Sequence, residues 1–190
     1  MDILIARTGA ELENAYEKLA KAEVLGCDTE TSSLSARRGR LFSVQFSDGA
    51  FNVLVPLSEN VALGPLARIL ADQSITKVFH NAKFDLEYLR ENSYAVENVF
   101  CTMLAEKVLT RGAGQSCSLA ETLYRYFAVD LDKAPRAKFT KSWNGLWTTE
   151  LVDYALSDVV HLPQLMREQS LWLARLGLTE EFRRQMAKVD

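Results

Sequence analysis

The sequence has little of what several common kinds of site require. Only two histidines and three cysteines occur in 190 residues. Cys27, Cys101 and Cys117 show neither the paired spacing of a zinc site nor a disulfide framework. A His/Cys zinc centre is excluded, and reduced thiols, partly buried, are the expected state. No apolar run is long enough to span a bilayer, and Met1-Asp2-Ile3-Leu4-Ile5-Ala6-Arg7 has no basic, apolar leader. A cytoplasmic protein without membrane contact is therefore expected. Positive charge is not in surplus either: 22 Lys and Arg against 25 Asp and Glu leave a net charge of −3. Any affinity for a polyanion would have to come from local basic patches. With no repeat, low-complexity tract or long linker, residues 1–190 are expected to form one domain.

What is present is a regular alternation of apolar periods and caps. Thr8-Gly9-Ala10-Glu11 is a capping box that opens an amphipathic helix to about Lys21. Val24–Asp28 reads as a strand whose far end turns acidic. Leu41–Phe46 and Phe51–Val55 are two more apolar runs, joined across Ser47-Asp48-Gly49-Ala50 by a hairpin signal. A helix is expected over Val61–Leu70, a short strand over Ile75–Phe79, a helix over Ala82–Arg90 and a brief strand at Val99-Phe100. From Thr102 onward the pattern is almost wholly helical. Ser118-Leu119-Ala120-Glu121 opens one helix, and Thr148 or Thr149 opens a long one. Strands in the first half and helices in the second imply an α/β fold, a mixed sheet with helices on its faces.

Carboxylates stand out against this background. Along a strand Asp28 and Glu30 point to one face, while Cys27 and Thr29 point to the other. An Asp-x-Glu at a strand end is common on surfaces and says little alone. In the last long segment Leu151, Ala155, Val159, Leu162 and Met166 form a core stripe. Tyr154 and Asp158, four apart, are neighbours on an adjacent stripe. Asp85 falls in the first turns of the helix that follows the Ile75–Phe79 strand, where a helix dipole also favours an acid. If the two strands are adjacent, Asp85 and Asp28 reach the same sheet end. Two like charges about 4 Å apart repel by roughly 4 kcal/mol at an effective dielectric near 20. Converging carboxylates therefore call for hard divalent cations held by oxygen, Mg²⁺ or Mn²⁺.

The motifs Asp28-Thr29-Glu30-Thr31-x-x-Leu34, His80-Asn81-Ala82-x-Phe84-Asp85 and Tyr154-Ala155-x-x-Asp158-Val159 resemble, in order and spacing, those of the DEDD superfamily of 3′→5′ exonucleases, tyrosine subtype. Ribonuclease D and the proofreading domain of family A DNA polymerases are the nearest groups, and the resemblance runs from about Val24 to Leu165. It implies a ribonuclease H-like fold with a five-stranded mixed sheet, flanking helices and a helix-rich C-terminal half. It also implies release of nucleoside 5′-monophosphates from single-stranded ends with two divalent cations. Asp28, Glu30 and Asp158 would hold one cation, Asp28 and Asp85 the other, and Tyr154 would orient the attacking water. The histidine subtype carries its His five residues before the last Asp, where this chain has Asp153. Leu34, Asn81 and Phe84 sit where relatives contact the terminal nucleotide, and Thr31, in the first motif, is a further substrate-binding candidate. Lys141-Ser142-Trp143 and Trp147 depart from the Ser-Asp-Trp and leucine usual in the family.

Two stretches run against the acidic average. Arg37, Arg38 and Arg40 follow the first motif, and Lys133, Arg136, Lys138 and Lys141 are interleaved with Phe139, Trp143 and Trp147. Basic groups for phosphate and rings for bases suit single strands. The tryptophans equally suit a loop tucked into the core. The substrate expected from the resemblance is single-stranded DNA, with RNA as the alternative and a polymerase or other repair or processing protein as partner. No further binding module is expected beyond Asp190. A non-catalytic nucleic-acid-binding module would be marked by a lost carboxylate, and none is lost.

Overall fold

The computed structural model describes residues 2–111, 113–132 and 134–189. Its centre is a sheet of six strands in the order β1-β4-β3-β2-β5-β6. These are β1 (Asp2–Ile5), β2 (Val24–Thr31), β3 (Leu41–Ser47), β4 (Phe51–Val55), β5 (Thr76–Phe79) and β6 (Val99–Cys101). The β2-β3-β4 meander is antiparallel, and β5 and β6 extend it parallel to β2. The expected five strands gain a sixth, because Asp2–Ile5 pairs parallel with Phe51–Leu54. Four residues with no alternating pattern carry too weak a period to be read as a strand.

The helices are α1 (Gly9–Leu19), α2 (Leu66–Ala71), α3 (Ala82–Glu91), α4 (Thr102–Thr110), α5 (Leu119–Phe127), α6 (Thr149–Val160), α7 (Leu162–Arg175) and α8 (Thr179–Met186). The capping box at Thr8 forms in full, with Glu11 reaching back to the cap. Ser118 and Thr148 cap α5 and α6 through their hydroxyls. Two expected helices are shortened by proline. The segment before Pro65 is not helical, so α2 starts at Leu66 rather than Val61. The long C-terminal helix breaks at His161, which ends α6 while Pro163 enters the first turn of α7. No helix among the described residues is long and apolar enough to cross a membrane.

Two apolar layers cover the sheet. One joins Leu25, Cys27, Val44, Phe46 and Phe79 to α1, α2 and α3. The other joins Leu54, Val78 and Phe100 to α4, α6, α7 and α8. The alternation of β2 thus sends Cys27 and Thr29 toward α3, and Gly26, Asp28 and Glu30 toward α6. Two local features set the second layer. A Cβ on Gly26 would meet the Val159 carbonyl at 2.3 Å, so glycine lets α6 sit directly on β2. A bulge at Glu30/Thr31, where Glu30 pairs with Ser43 and Thr31 with Leu41, leaves Phe42 unpaired. That turns Phe42 into the α6 layer, although its neighbours Leu41 and Val44 belong to the other.

Candidate active site

Beyond the sheet end where β2 finishes lies a cavity of about 410 Å³. Asp28, Glu30, Asp85, Tyr154 and Asp158 all line it. Three of them form a tight group: a carboxylate oxygen from each of Asp28, Glu30 and Asp158 lies within 4.8 Å of the others. Asp28 and Glu30 share a strand face, and the approach of α6 at Gly26 brings Asp158, next to Val159, against that face.

Asp85 arrives from the opposite layer. It is 1 % exposed on α3, and the pairing of β2 with β5 puts that helix beside the first motif. The Thr29 hydroxyl donates to Asp85 Oδ1 at 2.6 Å. Thr29, on the strand face opposite Asp28 and Glu30, therefore ties the first motif to the second.

The electrostatics follow from this crowding. Burial, then the charges of Asp85, Asp158 and Glu30, hold the Asp28 carboxyl well above the ordinary carboxylate range. Burial pushes Asp85 up to about 7, although the Thr29 hydroxyl opposes the shift. Such a set binds either protons or a cation. An all-oxygen donor set without histidine or thiolate fits a hard divalent ion such as Mg²⁺ or Mn²⁺.

Tyr154 is 8 % exposed, its ring 6.1 Å from that of Phe139. Phe139 in turn packs on Trp143 and Trp147 at 5.1 and 5.5 Å, and Phe42 meets Trp143 at 4.8 Å. The Trp147 indole donates to Ser58 Oγ. The two tryptophans thus belong to the packing behind Tyr154, and of these rings Tyr154 and Phe139 line the cavity while Phe42, Trp143 and Trp147 stand behind them.

Of the other expected positions, Thr31, Leu34, Asn81 and Phe84 line the cavity. Asn81 stands at the N-cap position of α3 in the left-handed region, φ 70°, a conformation that asparagine tolerates. Arg37, Arg38 and Arg40 are exposed outside the lining, and Arg37 lies 3.8 Å from Glu91. Lys133 and the side chain of Arg136 lie outside the described residues. Lys138 is engaged with Glu150. Sequence reasoning assigned no site role to Met103, Ser118 or Leu119, which complete the wall. His80 holds that side together through Thr102 Oγ1 at 2.8 Å and the Cys117 carbonyl at 2.9 Å. Only the cap at Ser118 was visible beforehand, and a cap does not say where its helix packs.

Two carboxylates at the end of β2, one on α6 and a fourth on α3, with a tyrosine one turn before the α6 carboxylate, make the type of site that nucleases use. Residues 3–171 match the family described as 3′-5′ exonuclease, DNA_pol_A_exo1, and the chain belongs to that family. It is 30% identical to the ribonuclease D of Bartonella henselae over 162 residues, 84% of this chain and 38% of the relative. The chain thus spans about two fifths of that relative's length. NrnC of Brucella melitensis with bound Mg²⁺ superposes with a TM-score of 0.81 at 28% identity, covering 100% of this chain and 90% of the other. The same protein bound to pGG gives 0.78 at 29% identity, over 89% and 82%. Escherichia coli RNase D gives 0.86 at 22% identity, over 100% and 50%. That likeness is one of fold, the ribonuclease H-like exonuclease fold expected from the motifs.

Proposed function

We propose that the chain acts as one metal-dependent exonuclease domain of the tyrosine subtype, removing nucleoside 5′-monophosphates from the 3′ ends of short single strands, RNA in preference to DNA. The observation that carries the reading is the meeting of Asp28, Glu30 and Asp158 within 4.8 Å, with Asp85 and Tyr154 in the same cavity. RNA is preferred because the matched relative is a ribonuclease D. Short ends are preferred because NrnC, similar over nearly its whole length, was described bound to pGG.

Asp28, Glu30 and Asp158 would hold one divalent cation, and Asp28 with Asp85 a second. When bound, such ions supply a lowered pKa for water and neutralise charge on the phosphate. The residues of the chain do the rest. Tyr154 orients the water and helps pass one of its protons to solvent as the water oxygen bonds to phosphorus and the P–O3′ bond breaks. The departing 3′ oxygen takes up a proton from solvent. Thr29 keeps Asp85 directed at the cavity. Leu34 and Phe84 provide apolar surface for the terminal bases, and Asn81 a polar group beside them.

The test is a pair of 5′-labelled ten-residue strands of one sequence, RNA and DNA, incubated with Mg²⁺, Mn²⁺ or chelator. The reading expects a ladder that shortens from the 3′ end with either metal, faster for RNA, and no shortening with chelator. Faster loss of DNA would move the substrate to DNA. Intact strands under all conditions would remove the nuclease reading.

A further inference from the structure

Helix α3 carries more than Asp85. Three residues on, Tyr88 is buried to 1 % exposure. Its hydroxyl donates to the Ser33 carbonyl at 2.6 Å and lies 3.1 Å from the Ser35 carbonyl and 3.2 Å from Ser33 Oγ. Both serines belong to the loop, residues 32–40, that joins β2 to β3. Between them stands Leu34, 83 % exposed and part of the cavity wall. The tyrosine ring also packs on Phe84, centroids 5.2 Å apart, a second apolar member of that wall.

Burial cannot hold Leu34, because it has little. Its position follows from the loop backbone. The neck of the loop is closed by Ser32 N–H to the Arg40 carbonyl at 3.0 Å and Arg40 N–H to Ser32 Oγ at 2.8 Å. The tip rests on Tyr88. A Cβ on Gly39 would come within 1.9 Å of the Tyr88 hydroxyl oxygen and 2.7 Å of Ser33 Oγ. Glycine at this point is what admits the hydroxyl beneath the loop.

We propose that Tyr88 is a positioning residue of the substrate site: its hydroxyl fixes the 32–40 loop and so holds Leu34 in the same wall as Phe84, where the two receive the terminal bases. The proposal rests on the reading of this cavity as the seat of a strand end. Tyr88→Phe keeps the ring against Phe84 and removes only the hydroxyl. Gly39→Ala drives the loop from the hydroxyl without altering α3.

Two readouts need no nuclease activity. Trypsin can cut after Arg37, Arg38 and Arg40, which are exposed on the loop, and after Arg183 and Arg184, exposed on α8. Either variant should be cut about tenfold faster at the loop, the loss of one hydrogen bond to the hydroxyl, with no change on α8. Affinity for a fluorescein-labelled RNA hexamer in Ca²⁺ should weaken by about three- to tenfold. Leu34→Ala should weaken it similarly, and Tyr88→Phe with Leu34→Ala no further.

Loop cleavage at the parent rate in both variants would overturn the proposal, as would faster cleavage with undiminished affinity. Losses that multiply in the double variant would mean that Tyr88 does not act through Leu34, which also overturns it. If Tyr88→Phe is cut faster everywhere through loss of fold, Gly39→Ala decides. A parent that binds the hexamer but leaves it intact with Mg²⁺ would defeat the exonuclease reading separately, with Tyr88 judged on cleavage and affinity alone.

Discussion

Asp28 and Glu30 show how far single residues can be read. Strand alternation puts them on one face without reference to anything else, and the four-residue step does the same for Tyr154 and Asp158. The bond from Thr29 to Asp85 joins β2 to α3 between residues 56 apart in the sequence, so no local period predicts it. Nor could the basic residues be read reliably, since exposure and neighbours decide their use: Lys138 is taken up by Glu150. Asp28→Ala and Asp158→Asn should each lower kcat by about 10³-fold or more, since on the proposed function each would remove a cation ligand and with it several kcal/mol of charge stabilisation. Tyr154→Phe should lower kcat by about 10²-fold with little change in KM, as expected for a group that assists proton transfer. Steady-state kinetics on a short labelled strand checks both. Thr29→Val removes the donor that opposes the upward shift of Asp85. The pH at which activity reaches half its plateau should therefore rise, and a pH–rate profile reads that change.

At the scale of elements, caps and apolar periods located most helices and strands because those signals are local. The misjudged boundaries have local causes too: proline at 65 and 163 shortens helices that the apolar stripe alone would extend. The added strand β1 exists only because β4 offers it a partner. What could not be read is the approach of α6 to β2, which depends on Gly26 lying under Val159. Gly26→Ala would bring a methyl to 2.3 Å from the Val159 carbonyl, and α6 must move. A destabilisation of about 1–3 kcal/mol is expected, as for other overpacked sites. Because Asp158 moves with the helix, Mg²⁺ affinity should fall as well. Thermal melts with and without Mg²⁺ test this, and a variant with the parent's melting temperature and metal response would contradict it.

For the whole molecule, the cost of assembling the site is a dependence on pH and cation. Asp28 and Asp85 titrate higher in the folded chain than the ordinary carboxylate value of 3.8, Asp85 at about 7. Between those values the folded state binds more protons than the unfolded state, so stability falls as pH rises. The Asp85 contribution is complete below about pH 3.8 and lost by the time pH has passed about 7, and that of Asp28 is lost in the same direction as pH rises. In chelator, the melting temperature should decline from pH 5 to pH 8, and Mg²⁺ should restore more of it at pH 8 than at pH 5, since the ion binds the ionised carboxylates. A chelated melting temperature that rises over this range would contradict the assignment of the site.

The measurement that reaches the central claim most directly is the fate of a 5′-labelled single strand with the parent protein and with Asp28→Ala side by side, each with Mg²⁺ and with chelator. The account predicts stepwise shortening from the 3′ end and free nucleoside 5′-monophosphate only for the parent with Mg²⁺. Equal shortening by Asp28→Ala, or none by the parent in either Mg²⁺ or Mn²⁺, would contradict it.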